Sequence, residues 1–206
     1  MKKIEIACLG DTHGNINAIQ DFVSYNEWKD AIFVLGDCGF GFKPTSQFPT
    51  IYRGGGYIAG NHDSPLHIKS HPSFLGRFGY IEELDLFFIS GAWSIDYKFR
   101  VPYKSWWPDE ELSDYEFGQA YDLYVEKKPK IVISHDCPEI NYPNVMSLGL
   151  GYIPSRTSVW LQKLWNDWQP EWFIHGHHHK HVETKIQKTN FVCVNIDETF
   201  KLTYEI

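Results

Sequence analysis

IEIACLGDTHG, Ile4 to Gly14, begins as an apolar run and ends on an acid and a histidine. The run is short and closed by Gly10, so it reads as a buried strand. Asp11 and His13 stand just past its end. The same arrangement recurs along the chain. AIFVLG (31–36) is followed by Asp37, and GYIAG (56–60) by Asn61, His62 and Asp63. KIVIS (130–134) leads into His135, and WFI (172–174) into His175, His177 and His179. Further strands are expected at 86–91, 190–196 and 200–206. Asn195, Asp197 and Glu198 are the expected turn formers between the last two.

Helical patterns separate the strands. Residues 15–28 gather Ile16, Ile19, Phe22 and Val23 on one face. Residues 113–127 open with Ser113 and Glu116 at capping-box spacing. Residues 155–168 place Trp160, Leu161, Leu164, Trp165 and Trp168 at amphipathic spacing, a stripe that reads as core packing. Strands alternating with helices imply an α/β layered fold. In such folds the carboxyl ends of the strands share an edge where ligands bind, so the scattered polar residues should converge there. Residues 39–55 read as a Gly- and Pro-rich loop, and residues 92–112 as an aromatic-rich insertion or cap on one domain spanning 1–206.

Composition narrows the partners. The chain has 206 residues, 43% hydrophobic and 22% charged, as in an ordinary globular protein. A net charge of -7 argues against non-specific nucleic-acid binding, which needs a basic footprint. The cysteines, Cys8, Cys38, Cys137 and Cys193, form no CxxC pair and no disulfide framework. The N-terminus reads as a first strand, not a signal peptide, and no apolar run reaches membrane-spanning length. A cytoplasmic setting is therefore expected.

The convergent set joins Asp, Asn and His. Hard oxygen with imidazole suits Mn, Fe, Zn, Co or Ni better than Ca or Mg. There are more donors than one tetrahedral ion needs, which suits two divalent ions about 3.5–4 Å apart.

DTHG (11–14), GDCG (36–39), GNHD (60–63), SHD (134–136) and GHHH (176–179) occur in that order. Together they resemble the motifs of the calcineurin-like metallophosphoesterase superfamily. The resemblance implies two mixed β-sheets sandwiched between helices in four layers. It implies that Asp11, His13 and His179 bind a first metal, that Asn61, His135 and His177 bind a second, and that Asp37 bridges them. His62 would face the substrate phosphate as a catalytic residue, with Asn61 also near the substrate. Manganese is the favoured metal. The implied reaction is hydrolysis of a phosphomonoester or phosphodiester by a hydroxide bridging the two ions. The substrate would be a phosphorylated small molecule, a nucleotide or a phosphoprotein. A nuclease acting on nucleic-acid ends and a non-catalytic scaffold are the alternatives.

The second motif departs from the pattern GDxxDR that many family members carry. Phe40 and Gly41 stand where an orienting Asp and a phosphate-gripping Arg would be. Asp63 is not expected to take the orienting role. Arg53, Arg100 and Arg156 are candidate replacements for the arginine. Arg100 is favoured because its segment also carries Trp93, Tyr97, Phe99, Trp106 and Trp107. Gly176 is read as the turn that carries the histidine run past its strand. His178 is expected to point away from the metals by strand alternation, while His175 and His181 read as supporting or surface residues.

Overall fold

The structure is a computed structural model that describes residues 2–146 and 154–206. Two sheets form its centre. The first contains β1 (Lys3–Leu9), β2 (Ala31–Val34), β3 (Gly55–Tyr57) and β10 (Thr199–Glu205), in the order β10-β1-β2-β3. The second contains β4 (Phe78–Ile81), β5 (Leu86–Ile89), β6 (Ile131–Ser134), β7 (Trp172–His175), β8 (Val182–Ile186) and β9 (Thr189–Cys193), in the order β4-β5-β6-β7-β9-β8. Strands β1, β2 and β3 are parallel, as are β5, β6, β7 and β9; β10, β4 and β8 pair antiparallel on their neighbours. Both sheets are therefore mixed.

Alternation along each strand builds the layers. Ile4, Ile6, Cys8, Ala31 and Phe33 point from the first sheet onto Leu86, Phe88, Ile131, Ile133, Ile174 and Val192 of the second. The opposite face of the first sheet, with Ala7, Leu9, Ile32 and Val34, packs on Ile19 and Phe22 of α1 (Ile16–Asn26). The outer face of the second sheet, with Phe87, Val132, Phe173 and Phe191, packs on α3 (Asp114–Lys127) and α5 (Arg156–Asp167). The order helix, sheet, sheet, helix matches the four expected layers. Central strands buried on both faces have no polar side to show, which is why they read as continuous apolar runs.

Helix ends follow the sequence cues. Ser113 and Glu116 form the expected reciprocal capping box, and Ser155 with Ser158 forms another at α5. Short helices α2 (Pro65–Ile68) and α4 (Tyr142–Val145) complete the elements used below. The turn before β10 uses Asp197 at φ 54° and a Glu198 N–H bonded to Asn195 O. Strands β4 and β8 were not expected. β4 contains a glycine and is half-buried, whereas β8 alternates exposed and half-buried residues on a sheet edge. Residues 92–112 hold one 3₁₀ turn, Tyr97–Phe99, yet send Trp107, Glu110 and Leu112 into the interior.

Phe33 is fully buried between the sheets. Phe33→Ala is expected to destabilise the fold by about 3–5 kcal/mol through lost burial and the cavity left behind. Urea unfolding checks this, with a lowered midpoint at constant slope as the expected result.

Candidate metal centre

The loops that leave β1, β2, β3, β6 and β7 meet where the two sheets share an edge. Hydrogen bonds cross between the sheets at that edge. His135 Nδ1 donates to Leu35 O at 2.7 Å, and the His177 backbone N–H donates to Asp11 Oδ1 at 2.9 Å. The polar residues that follow distant strands are thereby brought together.

One group contains Asp11, His13, Asp37 and His179, whose donor atoms all lie within 4.8 Å of one another. His13 Nε2 and His179 Nε2 are 3.0 Å apart and stand 3.9 and 3.1 Å from Asp11 Oδ2. That oxygen is buried and makes no well-aligned hydrogen bond; its contact with His179 at 3.1 Å draws on a proton that the imidazole must carry. An acceptor buried without a donor is costly. A cation facing it supplies the missing partner, so the donor set fits a metal ion.

The second group contains Asp37, Asn61, His135 and His177. His135 uses its Nδ1–H on Leu35 O, which turns Nε2 toward Asn61 Oδ1 at 3.1 Å and Asp37 Oδ1 at 3.3 Å. Three acceptor-capable atoms therefore converge. Burial disfavours charge on His135, but Asp37 and Asp11 outweigh it and push its pKa up to about 10. The proton held there stands where a divalent cation would serve the same electrostatic need. His177 packs its ring 5.0 Å from that of His135, and burial above all pushes its pKa down to about 4, the neutral form a ligand needs. Asp37 faces both groups, with Oδ2 3.9 Å from His13 Nδ1 and Oδ1 toward His135. Burial opposes its charge, yet His135 and His62 hold it well below the usual carboxylate range.

Residues outside the expected set hold these groups in place. Asp63 accepts four backbone N–H bonds, from Cys38, Gly39, Phe40 and Gly60, at 2.8–3.1 Å. It clamps the loop carrying Asp37 to the loop carrying Asn61. Phe40 stacks on Phe48 with centroids 3.8 Å apart and is buried. Asn61 Nδ2 donates to Ser94 Oγ at 3.1 Å, and Ser94 donates to Glu110 Oε2 at 2.7 Å. The amide is thereby turned so that Oδ1 faces the centre. Burial pushes the Glu110 pKa up to about 7 against the donors that favour its charge. Neither Ser94 nor Glu110 carries a sequence signal, because each sits in the irregular 92–112 segment.

The histidine run differs from its extended reading. His177 and His179 have φ of 68° and 53°, so the chain turns through them and not through Gly176. Gly176 serves close approach instead, since a Cβ there would lie 2.2 Å from Asp11 Oδ1. His178 does turn away from the donor groups, toward Asp136 at 3.2 Å, but through this tight turn and not through strand alternation. His175 is buried beneath the loop, and His181 pairs with Glu183 and Glu198 outside it.

Of the candidate arginines, Arg100 reaches the centre. Its Nη1 and Nη2 lie 2.7 and 2.9 Å from Nδ1 and Nε2 of His62, while Asp96 holds its Nε at 2.7 Å. A neutral imidazole has one lone pair, so one of the two contacts sets donor against donor. An anion that draws the guanidinium off the ring would relieve that contact. Burial first, opposed by Asp37 and reinforced by Arg100, lowers the His62 pKa. Arg156 instead bonds Leu112 O, and Arg53 lines a separate cavity beside Trp28 and Tyr52.

The sequence profile described as calcineurin-like phosphoesterase matches residues 4–182. The chain belongs to that family. Calcineurin-like phosphoesterases are metal-dependent phosphoester hydrolases, and the donor groups here suit that chemistry. Solved structures share the fold at low identity. A dimetal phosphatase from Danio rerio aligns with a TM-score of 0.61 at 10% identity, covering 94% of this chain and 88% of that one. The protein TT1561 of Thermus thermophilus aligns at 0.58 and 15%, covering 95% and 91%. A putative 5'-nucleotidase from Staphylococcus aureus aligns at 0.58 and 13%, covering 98% of this chain but 51% of its own. No curated protein sequence matches the chain.

Ser94→Ala frees the Asn61 amide to rotate. It is expected to weaken divalent-ion binding at the Asn61 group by about 10-fold or more, as loss of a supporting hydrogen bond typically does. Calorimetric titration with Mn checks this, and an isotherm unchanged from wild type would refute it.

Proposed function

We propose that the chain is a binuclear metallophosphoesterase acting on small phosphorylated molecules or nucleotides. The single observation that carries this reading is the meeting of Asp37, His62 and Arg100 at one cleft: a carboxylate facing two donor groups, beside an imidazole and a guanidinium that one phosphate could join. Asp11, His13, Asp37 and His179 would hold one ion, and Asp37, Asn61, His135 and His177 the other. Divalent ions in these positions supply Lewis acidity and activate water.

The chain's own groups supply the remainder. Arg100 is held by Asp96 through Nε and by Ser105 O through Nη1, and on leaving the His62 ring its fork would match phosphoryl oxygens. His62 is fixed through its backbone N–H, which donates to Asp37 Oδ1 at 2.8 Å. Its neutral ring gains proton affinity when an anion arrives, and protonated it donates to the leaving oxygen. Trp93 and Ile95 line the cleft near Arg100, together with Met146. They offer an apolar wall for the organic part of a substrate.

The cleft has a volume of about 340 Å³ and also carries Asp96 and Asp136. Arg100 is the one lysine or arginine among its described lining residues. A polynucleotide requires a track of cations, so these features favour a small phosphoester over nucleic acid. Preservation of every donor expected from the motifs favours a catalyst over a scaffold. The likeness to the S. aureus putative 5'-nucleotidase motivates including nucleotides, although at that identity it speaks for fold alone.

The test is a Mn-supplemented panel of aryl monoester, aryl diester, nucleotides, a phosphopeptide and single-stranded DNA. Small esters or nucleotides are expected to turn over, and turnover of DNA alone would overturn the reading. Asp37→Asn is expected to lower kcat/KM by at least about 10³-fold, since it removes a carboxylate shared by both groups. Arg100→Ala should cost about 10²-fold in kcat/KM by removing charge-assisted phosphate contacts, and unchanged kinetics would remove Arg100 from the substrate site.

A further inference from the structure

A separate cluster lies on the far side of the histidine turn. Cys137, His175 and His178 each present a donor atom, and these atoms lie within 4.8 Å of one another. Cys137 Sγ is 3.6 Å from His178 Nε2. A tetrahedral zinc ion with Zn–S of about 2.3 Å and Zn–N of about 2.05 Å sets sulfur and nitrogen about 3.5–3.6 Å apart. Asp136 Oδ1 lies 3.2 Å from the same nitrogen and accepts the Cys137 N–H at 2.8 Å, which places its charge beside the three donors.

The surroundings resemble those of a ligand shell. His175 Nδ1 lies 3.0 Å from Gly176 O, the backbone-carbonyl contact that fixes a ligating imidazole and leaves its other nitrogen with the lone pair. Asn141 Nδ2 donates to that Nε2 at 3.1 Å, so an ion would bind there by displacing the amide. Asp136 Oδ2 accepts from Tyr142 and Ser155 at 3.0 and 3.3 Å, which anchors the carboxylate from its far side. The thiolate offsets one of the ion's two charges and the adjacent Asp136 carboxylate the other, while both imidazoles remain neutral ligands. His178 and Asp136 line the open cleft, so an ion has a path in.

We propose that Cys137, His175 and His178 form a third cation site, selective for zinc, beside the two-ion centre, with the Asp136 carboxylate adjacent to it. Its thiolate separates it from that centre, whose assigned donors include no sulfur. Thiolate with imidazole favours zinc over manganese. The ion would tie the loop after β6 to the turn after β7, bracing His135 and His177 from behind.

Cobalt(II) titration of the chelated full chain tests the site. Wild type is expected to develop a near-ultraviolet thiolate-to-cobalt charge-transfer band whose final amplitude corresponds to one thiolate-bound cobalt per chain and which is displaced by zinc. Cys137→Ser should abolish the band, whereas Cys38→Ser and Cys193→Ser should retain it. If Cys137→Ser fails to fold, His178→Ala is expected to weaken the band's cobalt affinity at least tenfold. No band in wild type with excess cobalt, or a band lost with Cys38→Ser and kept in Cys137→Ser, would overturn the proposal. An Asp37→Asn protein that keeps the band while losing hydrolysis would support the site independently. A wild-type protein that shows the band but hydrolyses none of the panel would overturn the enzymatic reading alone.

Discussion

Two carboxylates, Asp11 and Asp37, are buried where the sheets meet, at 0% and 1% exposure. Among the described residues, every ion-pair partner in range of them is a histidine. Burying charge this way is unfavourable unless a cation compensates. The rest of the edge follows from that constraint. Histidines crowd inward, His135 is driven to hold a proton, and Asp11 Oδ2 faces His13 and His179 without a well-aligned hydrogen bond. Such an arrangement is poor as an apo structure and well suited to binding divalent ions.

The double-sheet core makes the crowding possible. Parallel central strands aim their ends at one edge, and both sheets contribute loops to it. Asp63 then holds two first-sheet loops together with backbone hydrogen bonds, and Glu110 reaches in from an irregular segment to fix Asn61 through Ser94. A regular scaffold sets where the loops begin, while buried polar contacts set where the side chains end.

That division explains what was legible from the residues. The central strands were readable because burial on both faces leaves a continuous apolar run. Edge strands β4 and β8 were not, since half-buried residues give mixed patterns. Asp11, His13, Asp37, Asn61, His135, His177 and His179 could be singled out together because each follows a strand within a few residues. The structure draws Asp11, His13, Asp37 and His179 into one group and places Asn61 and His135 beside Asp37, with His177 packed on His135. Asp63 was in view, but its bonds reach back to residues 38–40, a contact that local spacing does not reveal. Glu110 had no periodic context at all. Arg100 was favoured from the composition of its segment, although nothing local to Arg53 or Arg156 distinguished their surroundings. The error over Gly176 has the same root: glycine suggests a turn, whereas here it marks a spot where a backbone passes almost in contact with the Asp11 carboxylate.

Four of the proposed ligands, His13, Asp37, His177 and His179, adopt left-handed backbone at φ between 46° and 68°. Asp, Asn and His tolerate that region better than most residues, and β-branched side chains tolerate it worst. The backbone therefore acts as a filter on chemistry. It admits short oxygen or imidazole donors at these positions and penalises a threonine on steric grounds alone, before affinity for any ion is considered. The donor alphabet of the centre is written partly in its φ angles, so grafting the same side chains onto extended loops would keep the composition and lose the shape.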